Sequence, residues 1–540
     1  MDRLMFQPNE VDDHQQLPPI EVILKFPLVL TERIRHAVHE SKFYKLECAD
    51  VGKLVHRLFQ MLRSVLWFAD STPLYERPVR RIFIDVAGNL NRALTLVRKC
   101  RHRGIIRRFV CILGEADFQK LFSLLDRSIG DMKWLLSIFD AVNGGIILAL
   151  PPIASNDPIL ALVWSCIASL HIRSVNLKIE GVRELSALAR DSDRIKKIIV
   201  EEGGITPLLK LLKHESSPKT QISGAMALFN LANDQNMARS IFNENGVPVL
   251  ALAFRYSHVS VQTEVAKLIA RIAELDSVCQ EGFARQNVIE TLVTLLSSSI
   301  WPRNKKESNP EISQLILELK TNCCGALWML ARGNVATCRR ITETRGLLCL
   351  AKFIEKEKGE LQINCLMTVV EITSAAECNP DIRRSAFKMN SPAGKAVVDQ
   401  LLRLIDESDN PVIKIPAIRA IGQLARTFSA RQTQVISPLV KQLCDRNPDV
   451  ATESVIALGK FTCPENYLRV EHSKTIVDFE GVQAVMKMLM GSKRTNYHAL
   501  VLLCYLAVYA GNNEQFQQAR ISTALEGADK SAAYHLNMFA

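Results

Sequence analysis

The residues whose types and spacing best support chemistry form a basic run between residues 76 and 108. This run holds ten Lys or Arg side chains against Glu76 and Asp85, a net charge of +8 in 33 residues. The whole chain of 540 residues carries +11, so the basic excess is local. Clustered cations attract phosphate groups of lipids or nucleic acids. The ten cations are Arg77, Arg80, Arg81, Arg92, Arg98, Lys99, Arg101, Arg103, Arg107 and Arg108.

Three interpretations of the basic run stay open on the sequence alone. A charge run is often a solvated helix face. It can also bind an anionic membrane, because each Lys or Arg near an acidic surface contributes about 1 kcal/mol. The third interpretation is a nuclear-import signal or a nucleic-acid contact. Ile105, Ile106 and Phe109 lie beside the run and could insert shallowly into a membrane or belong to the core. We take anionic phospholipid as the expected partner and do not expect nucleic acid.

Other reactive side chains lack the spacing that catalysis or metal binding requires. The segment HAVHE at 36–40 is not HExxH, so His36 and His39 are expected on a helix surface. No phosphate-loop Lys follows Gly144–Gly145 or Gly203–Gly204, and no Ser or Cys sits in a nucleophile elbow. Cys323–Cys324 is expected to be buried and unreactive. The sequence therefore predicts no catalytic residue, metal ligand or cofactor, and no enzyme.

The elements that position these residues are repeated helices. A Leu-rich phrase opened by small residues recurs, as in EEGGITPLLKLLK at 201–213 and ENGVPVLALAF at 244–254. An Ala-rich phrase precedes each copy, as in GAMALFNLA at 224–232. Ala189, Ala232 and Ala273 are spaced by 43 and 41 residues. A period near 42 with two or three helices is typical of armadillo and HEAT arrays. Within each copy, Gly is expected to supply a turn with unrestricted φ.

Three regions follow from this pattern. Residues 1–145 lack the repeats and are predicted to form a helical bundle that carries the basic run. About eight armadillo repeats are predicted over 155–520, with a polar loop insertion near 297–310. Residues 521–540 are expected to be a short tail. The predicted fold class is all-α: an N-terminal four-helix bundle followed by an armadillo-type α-solenoid, a superhelix with a concave face that binds proteins.

Four helices are predicted in the first region, near 30–45, 50–70, 76–103 and 115–139. In the third helix the apolar side chains span about 120° of arc, and Arg77, Arg81, Arg92 and Lys99 lie nearly opposite. That apolar stripe comprises Val79, Ile82, Phe83, Val86, Leu90, Leu94 and Val97.

One position in each Ala-rich phrase bears on how the repeats bind. An Asn side chain there can hold the backbone of an extended peptide, because one amide is both donor and acceptor. Asn230 occupies the position once, and a bond within its own repeat is the role expected for it. The position otherwise holds Arg271, Glu371, Gln423 and Lys460 as further groove candidates, and Ala187, Met329 and Tyr505. Without an Asn ladder, a nuclear-import receptor is not expected.

Composition supports a globular chain without membrane spans. Apolar residues make up 48% and charged residues 23%, while aromatics are only 6%, so Leu, Ile, Val and Ala must build the core. The 14 cysteines include no CxxC pair, which indicates reduced core thiols in a cytosolic protein. The first residues show no secretory signal, and the longest charge-free stretches are too short to cross a bilayer. Any membrane association is expected to be peripheral.

Specific segments resemble the plant armadillo-repeat-only proteins. The resemblance covers most of the chain and is carried mainly by the N-terminal text. No U-box or F-box segment is recognised ahead of the repeats. The matching segments are ADVGKLVHRLFQMLRSVLWF at 49–68, PLYERPVRRIFIDVAGNLNRALTLVRKCR at 73–101, GDMKWLLSIFD at 130–140, LPPIASNDPILALVW at 150–164, EEGGITPLLKLLK at 201–213 and ALWMLARGN at 326–334.

The resemblance implies a peripheral membrane scaffold in polarised plant cells. Such proteins would bind anionic phospholipids through a basic N-terminal domain and recruit GTPase-activating proteins that confine Rho-type GTPase signalling during polarised (tip) growth. The implied location is the cytoplasm and the periphery of the plasma membrane. A nuclear or cytoplasmic protein-binding adaptor, or an armadillo protein associated with a ubiquitin ligase, remains the alternative.

Overall fold

The computed structural model describes residues 20–71, 75–101, 114–142, 151–171, 174–213, 215–297, 310–388, 391–429, 431–489 and 493–510. Within those ranges the chain forms α-helices and short 3-10 turns, with no strand. It divides into two compact units, residues 1–231 and 232–540, and each is described by itself. No helix among the described residues is long and apolar enough to cross a membrane.

The first unit begins with a four-helix bundle. Helices α1 and α4 each pack against both α2 and α3, so the four helices enclose one core. Ile34, Leu58, Phe83 and Phe118, one from each helix, are completely buried there. The helices are α1, Ile20–His39; α2, Lys45–Ser71; α3, Glu76–Lys99; and α4, Glu115–Val142.

The apolar stripe predicted for α3 is confirmed, because all seven of its side chains are buried. The first helix, in contrast, starts ten residues before the predicted 30–45 and ends at His39. Pro27 lies inside α1, although proline normally interrupts a helix because it lacks the N–H. After α1 the chain turns at Tyr44, whose φ is 49°. Helix propensity alone therefore misplaced this element.

Five helices complete the described part of the first unit. A 3-10 turn at Pro152–Ala154 packs against α4 and leads into them. The Ala-rich helices α6 and α9 pack side by side. The five are α5, Pro158–Leu170; α6, Val175–Asp191; α7, Asp193–Glu201; α8, Ile205–Leu211; and α9, Pro218–Leu231.

The second unit repeats a short helix, a Leu-rich helix and an Ala-rich helix. Its described helices are α10, Gln235–Asn243; α11, Gly246–Tyr256; α12, Val259–Leu275; α13, Ser277–Arg285; α14, Val288–Ser297; α15, Pro310–Ala331; α16, Val335–Glu343; α17, Gly346–Lys356; α18, Glu360–Cys378; α19, Pro380–Ala386; α20, Pro392–Glu407; α21, Pro411–Gln423; α22, Ile436–Gln442; α23, Pro448–Thr462; α24, Arg469–Asp478; α25, Gly481–Met488; and α26, Lys493–Ala510. The predicted polar insertion falls on residues 298–309, outside the described ranges.

The Ala-rich helices form a row that we call the ladder. In the second unit it comprises α12, α15, α18, α21, α23 and α26, each packed against the next. In the first unit the same arrangement joins α6 and α9. Small residues are required at the contacts, because a Cβ on Gly422 would lie 2.8 Å from Cα of Ala457 in the next helix. Close approach of backbones explains why these phrases are rich in Ala and Gly.

At Gly246 and Gly481, which open Leu-rich helices, glycine is needed mainly because a side chain would clash, and less for its backbone freedom. A Cβ on Gly246 would lie 2.5 Å from the carbonyl oxygen of Ile241, and a Cβ on Gly481 would lie 2.7 Å from that of Ile476. The positive φ belongs to the preceding residue, 58° at Asn245 and 64° at Glu480. The expectation that these glycines supply an unrestricted φ is therefore wrong at Gly246 and Gly481, but it is confirmed at Gly203, whose φ is 77°. Gly246 and Gly481 are needed because no side chain fits against the preceding helix.

Candidate binding surfaces

The basic run of the sequence does not form one surface. Arg77 lies in the first turn of α3 and Lys99 in its last, 22 residues apart. At 1.5 Å per residue they are separated by about 30 Å along the helix axis. The two ends of α3 therefore belong to separate surfaces of the bundle.

The N-terminal end of α3 packs against the turn that precedes α8. An Arg81 guanidinium nitrogen donates to Oε1 of Glu202 at 2.6 Å, and the indole N–H of Trp164 donates to Oε2 at 2.8 Å. The Tyr75 hydroxyl donates to the carbonyl oxygen of Glu202 at 3.1 Å. The Glu202 side chain is only 3% exposed. We call these four residues the Glu202 joint, which holds the bundle against the first repeats.

Neighbouring cations at this end also have structural contacts. The Arg81 guanidinium carbon lies 5.6 Å from the centre of the Trp164 ring. Arg80 pairs with Glu76 at 3.1 Å, and the side chain of Arg77 lies beside Gly203 of the joint turn. Farther along, Arg92 donates to the Asn89 side chain at 3.2 Å. This half of the basic run therefore contributes to the fold, and only part of its charge faces solvent.

The C-terminal end of α3 gathers cations from two segments. The backbone N–H groups of Lys42 and Phe43 donate to the carbonyl oxygen of Cys100 at 3.1 and 3.2 Å. These bonds bring the connection between α1 and α2 against the end of α3. Five exposed cations then share one end of the bundle, which we call the basic end: Lys42, Lys45, Arg98, Lys99 and Arg101.

Of the carboxylates near the basic end, Glu40 is the one that pairs with a cation of this set among the described residues, with Arg101 at 2.9 Å. Glu47 and Asp50 follow in α2, and Asp117 precedes Phe118, whose ring contacts Tyr44. Within the described residues, no carboxylate partner is found for the other four cations. Because an unpaired surface cation remains hydrated and mobile, this end can exchange water for anionic groups of a ligand.

An apolar side chain projects from the same end. Leu46, in the first turn of α2, is 80% exposed, more than any other described hydrophobic residue of the bundle. The neighbouring Tyr44 ring packs on Phe118 at 5.3 Å between centroids, which fixes the turn. An exposed leucine next to a lysine is suited to shallow insertion between lipid headgroups.

Sequence reasoning missed Lys42, Lys45 and Leu46. They lie more than 50 residues before Lys99, and only the tertiary contact with Cys100 brings them beside it. The spacing of two lysines around SKFYKLE is the one local signal, and it is weak. The predicted residues Arg103, Arg107 and Arg108, with Ile105, Ile106 and Phe109, lie outside the described residues.

The predicted groove residues of the repeats bond groups outside their own helices. The Asn230 amide donates to the Ser186 hydroxyl in α6 at 2.7 Å. Its partner is therefore in the preceding ladder helix, and the expected bond within its own repeat is wrong. In the second unit, Arg271 Nε donates to the carbonyl oxygen of Ala232 at 3.0 Å.

The remaining three groove residues follow the same rule. Glu371 accepts from the backbone N–H of Gly333 at 3.3 Å. Gln423 is buried and accepts from the Thr373 hydroxyl at 2.6 Å. Lys460 pairs with Glu377 at 2.8 Å, reaching past α21 to α18. Asn230, Gln423 and Lys460 therefore tie ladder helices together, whereas Arg271 and Glu371 bond backbone groups just beyond the ends of α9 and α15. A bound peptide would have to compete with bonds that already exist.

Two buried carboxylates respond oppositely to their surroundings. In the first unit, burial raises the pKa of Asp131 to about 6, although the Ile153 N–H donates to it at 2.6 Å. In the second unit, burial would also raise the pKa of Asp276. Hydrogen bonds from Arg239, Gln235 and two backbone N–H groups outweigh burial and lower its pKa to about 2.

One cavity of about 420 Å³ opens on the ladder of the second unit. Leu317 and Leu361 supply its apolar surface, and Lys358 and Glu360 supply opposite charges. The Asn322 side chain at its wall donates to the carbonyl oxygen of Thr263 at 3.1 Å. The mixture of apolar, amide and charged groups suits side chains of a protein ligand.

Reactive groups elsewhere keep their expected structural roles. His36 and His39 are exposed on α1, and Cys323 and Cys324 are buried in α15, so the predicted positions of all four side chains are confirmed. Among the described residues, no group of three or more His, Cys, Asp or Glu side chains could hold a metal ion.

Comparison with known sequences gives two partial matches. A family described only as a domain of unknown function, DUF7792, matches residues 21–140, which contain the bundle. A 90-residue stretch is 34% identical to the bilin biosynthesis protein CpeZ of Synechococcus sp. (strain WH8020). That stretch is 16% of this chain and 48% of the relative, so the chain spans about half the length of the curated relative it matches.

Comparison with solved structures concerns the fold. An engineered protein aligns over 76% of this chain and 92% of its own length, with a TM-score of 0.59 and 21% identity. A designed armadillo repeat protein aligns over 48% of this chain and 98% of its own length, with a TM-score of 0.40 and 19% identity. The predicted all-α fold is confirmed, and the repeats form an armadillo-type solenoid.

Proposed function

We propose that this protein is a non-enzymatic scaffold that binds other proteins on its ladder and anionic phospholipid through its basic end. The observation that carries the lipid assignment is the basic end itself, where five exposed cations from two segments share one end of the bundle with an 80% exposed leucine. Protein binding is supported by the armadillo-type fold, because stacked repeats present long surfaces of adjacent helices.

The charges of the basic end set the approximate free energy of its binding to an anionic membrane. Each Lys or Arg near an anionic membrane contributes about 1 kcal/mol, so five cations together supply up to about 5 kcal/mol. Insertion of one leucine side chain adds about 1.5–3 kcal/mol if its burial is complete. Either contribution alone would give weak binding, and together they support reversible, peripheral attachment.

The resemblance to plant armadillo-repeat-only proteins supplies the finer part of the proposal. In this form the scaffold resides in the cytoplasm and at the periphery of the plasma membrane. It holds a GTPase-activating protein for Rho-type GTPases and thereby confines their signalling during polarised growth. The basic end provides the attachment and the ladder provides the recruiting surface. A nuclear adaptor is the alternative, and nuclear accumulation that depends on the basic end would favour it.

The lipid assignment is tested by flotation of the full chain with neutral or phosphatidylserine- and phosphoinositide-containing vesicles. The test variant reverses the basic end by Lys42→Glu, Lys45→Glu, Arg98→Glu, Lys99→Glu and Arg101→Glu. A matched variant reverses five exposed lysines elsewhere: Lys197, Lys213, Lys219, Lys474 and Lys487. Loss of binding only in the first variant supports the basic end. Equal loss in both would mean that net charge alone drives binding.

The protein-binding assignment is tested with a purified Rho-type GTPase-activating protein. Ser374→Arg and Ile456→Arg add bulky cations to half-buried positions of α18 and α23 in the ladder. Binding should be lost in these variants while vesicle flotation is retained. A charge-reversed basic end should show the opposite pattern, and a partner that binds all variants equally would contradict recruitment by the ladder.

A further inference from the structure

Two thiols of the second unit touch between α15 and α18, and a third thiol, from α17, lies near them. The sulfur atoms of Cys324 and Cys365 are 3.4 Å apart, and both side chains are completely buried. Cys349 of α17 lies within electrostatic reach of both and is partly exposed. Two sulfur atoms at 3.4 Å are in van der Waals contact. We call these three residues the thiol cluster.

We propose that Cys324 and Cys365 form a reversible disulfide between neighbouring ladder helices under sustained exposure to hydrogen peroxide, with Cys349 as the thiol through which oxidation enters. This assignment is independent of the proposed scaffold function. It is also distinct from metal binding, since no described group of side chains has a geometry that could hold an ion.

The chemistry balances with peroxide as the only oxidant. Hydrogen peroxide converts the Cys349 thiol to a sulfenic acid and releases one water. The Cys324 sulfur attacks the Cys349 sulfur, and the hydroxyl leaves with the thiol proton as a second water. The Cys365 sulfur then attacks the Cys324 sulfur, and Cys349 departs as a thiol that takes up the Cys365 proton. Two thiols and one peroxide thus give one disulfide and two waters.

Burial sets the rate of this reaction. Desolvation raises the pKa of Cys349 to about 12 and also raises the pKa of Cys365. Because the thiolate is the nucleophile, the reaction is slow at neutral pH. The disulfide would therefore form during prolonged exposure to peroxide and not during a brief exposure. Cys349 is oxidised first, because it is partly exposed and peroxide reaches it before the two buried thiols.

The position of the cluster connects it to the ladder surface. Thr321 lies one turn before Cys324, and Leu361 lies one turn before Cys365; both line the 420 Å³ cavity. The Asn364 amide already donates to the carbonyl oxygen of Thr321 at 3.2 Å, tying the two helices beside the thiols. A disulfide would add a covalent link directly behind that bond and fix the two walls of the cavity.

The test is peptide mass spectrometry of the folded full chain after peroxide treatment and alkylation. Trypsin releases Cys324 in residues 321–332, Cys365 in 359–383 and Cys349 in 346–352. We expect a reducible cross-link between the first two peptides. Cys365→Ser and Cys324→Ser should abolish it, whereas Cys323→Ser should retain it, because the neighbouring thiol is not the one in contact. Cys349→Ser should form it about tenfold more slowly, because the partly exposed thiol is gone.

Cys279 reports whether the fold survives the treatment. It is completely buried and its thiol faces a backbone carbonyl, so it should remain unmodified until denaturant is added. If Cys279 stays protected while the exposed Cys378 and Cys444 oxidise and no cross-link forms, the proposal is wrong. A dominant link from Cys323, or an unchanged rate in Cys349→Ser, would also overturn it in its stated form.

Discussion

In the second unit's ladder, several charged side chains pair with neighbouring helices, as in Lys460 with Glu377 and Arg419 with Glu453. At the basic end of the bundle, Lys42, Lys45, Arg98 and Lys99 are exposed and lack a described carboxylate partner. The difference shows which charges are available for a ligand. Removing a charge that pairs two helices destabilises the fold. A solvated charge can bind a ligand without breaking such a pair.

The same contrast exists within α3. Arg81 at one end is part of the Glu202 joint, while Lys99 at the other end faces solvent. Both belong to the basic run of the sequence. Their opposite surroundings lead to opposite expectations for stability and for ligand binding, which mutations can separate.

The largest effect is expected in the second unit, from Asp276→Ala. The Asp276 side chain is completely buried and accepts from Arg239 at 2.7 Å and from the N–H groups of Val278 and Cys279. Its loss should lower the free energy of unfolding by about 3 kcal/mol, since it removes a buried ion pair and a helix cap together. Urea unfolding with hydrogen exchange in α13 measures this. Asp276→Asn should cost less, and a loss below about 1 kcal/mol for Ala would contradict the role assigned.

The pH dependence of the two buried carboxylates should have opposite signs. The pKa of Asp131 is raised to about 6, so the folded state binds the extra proton and stability falls as pH rises from about 4 to 6. The full effect is at most about 3 kcal/mol. The pKa of Asp276 is lowered to about 2, so its contribution is present above about pH 4 and is lost as pH falls towards 2.

Unfolding free energies of Asp131→Asn and Asp276→Asn across this pH range check the two signs. Relative to Asp131→Asn, the natural chain should become more stable as pH falls from 7 to 4.5. Groups that face Asp131 include Asp85 and Arg127, and neither is altered by the substitution. A difference that stays constant with pH would show that Asp131 keeps its ordinary pKa.

A smaller effect should separate the two ends of α3. Lys99→Gln should weaken binding to anionic vesicles about fivefold, because it removes about 1 kcal/mol of attraction, and leave stability unchanged. Arg81→Gln should leave vesicle binding within twofold and lower the stability of the first unit by about 2 kcal/mol. Flotation and urea unfolding are measured on both variants. If Arg81→Gln weakens lipid binding as much as Lys99→Gln, the two ends act as one surface.

The smallest effect is expected at the middle of α3. Gly88 lies on the exposed face, and a Cβ there would meet no atom within 4 Å. Gly88→Ala should therefore raise the unfolding free energy by about 0.5–1 kcal/mol through helix propensity, without changing vesicle binding. Thermal unfolding and flotation check this, and the crowded Gly422→Ala in the ladder is the destabilising counterpart.

Much of the fold could be predicted because local patterns repeat. The apolar stripe of α3 and the Ala-rich phrases specify their helices by spacing alone, and the buried Phe83 and Leu228 follow directly. The start of α1 could not be predicted, because tertiary burial overrides the usual effect of Pro27. Glu202 could not be singled out either, since its partners Arg81 and Trp164 are distant in sequence.

The all-α class, the repeat period, the small residues of the ladder and the excess of positive charge near the bundle all follow from local sequence patterns. They depend on short-range periodicity and composition, which can be read without knowing any tertiary contact. Which cations remain available depends instead on contacts between distant parts of the chain. The tertiary structure buries Glu202 beneath Arg81, ties Asn230 to Ser186, and brings Lys42 and Lys45 to the end of α3. The physical reason is that pairing and desolvation depend on neighbours that are far apart along the chain.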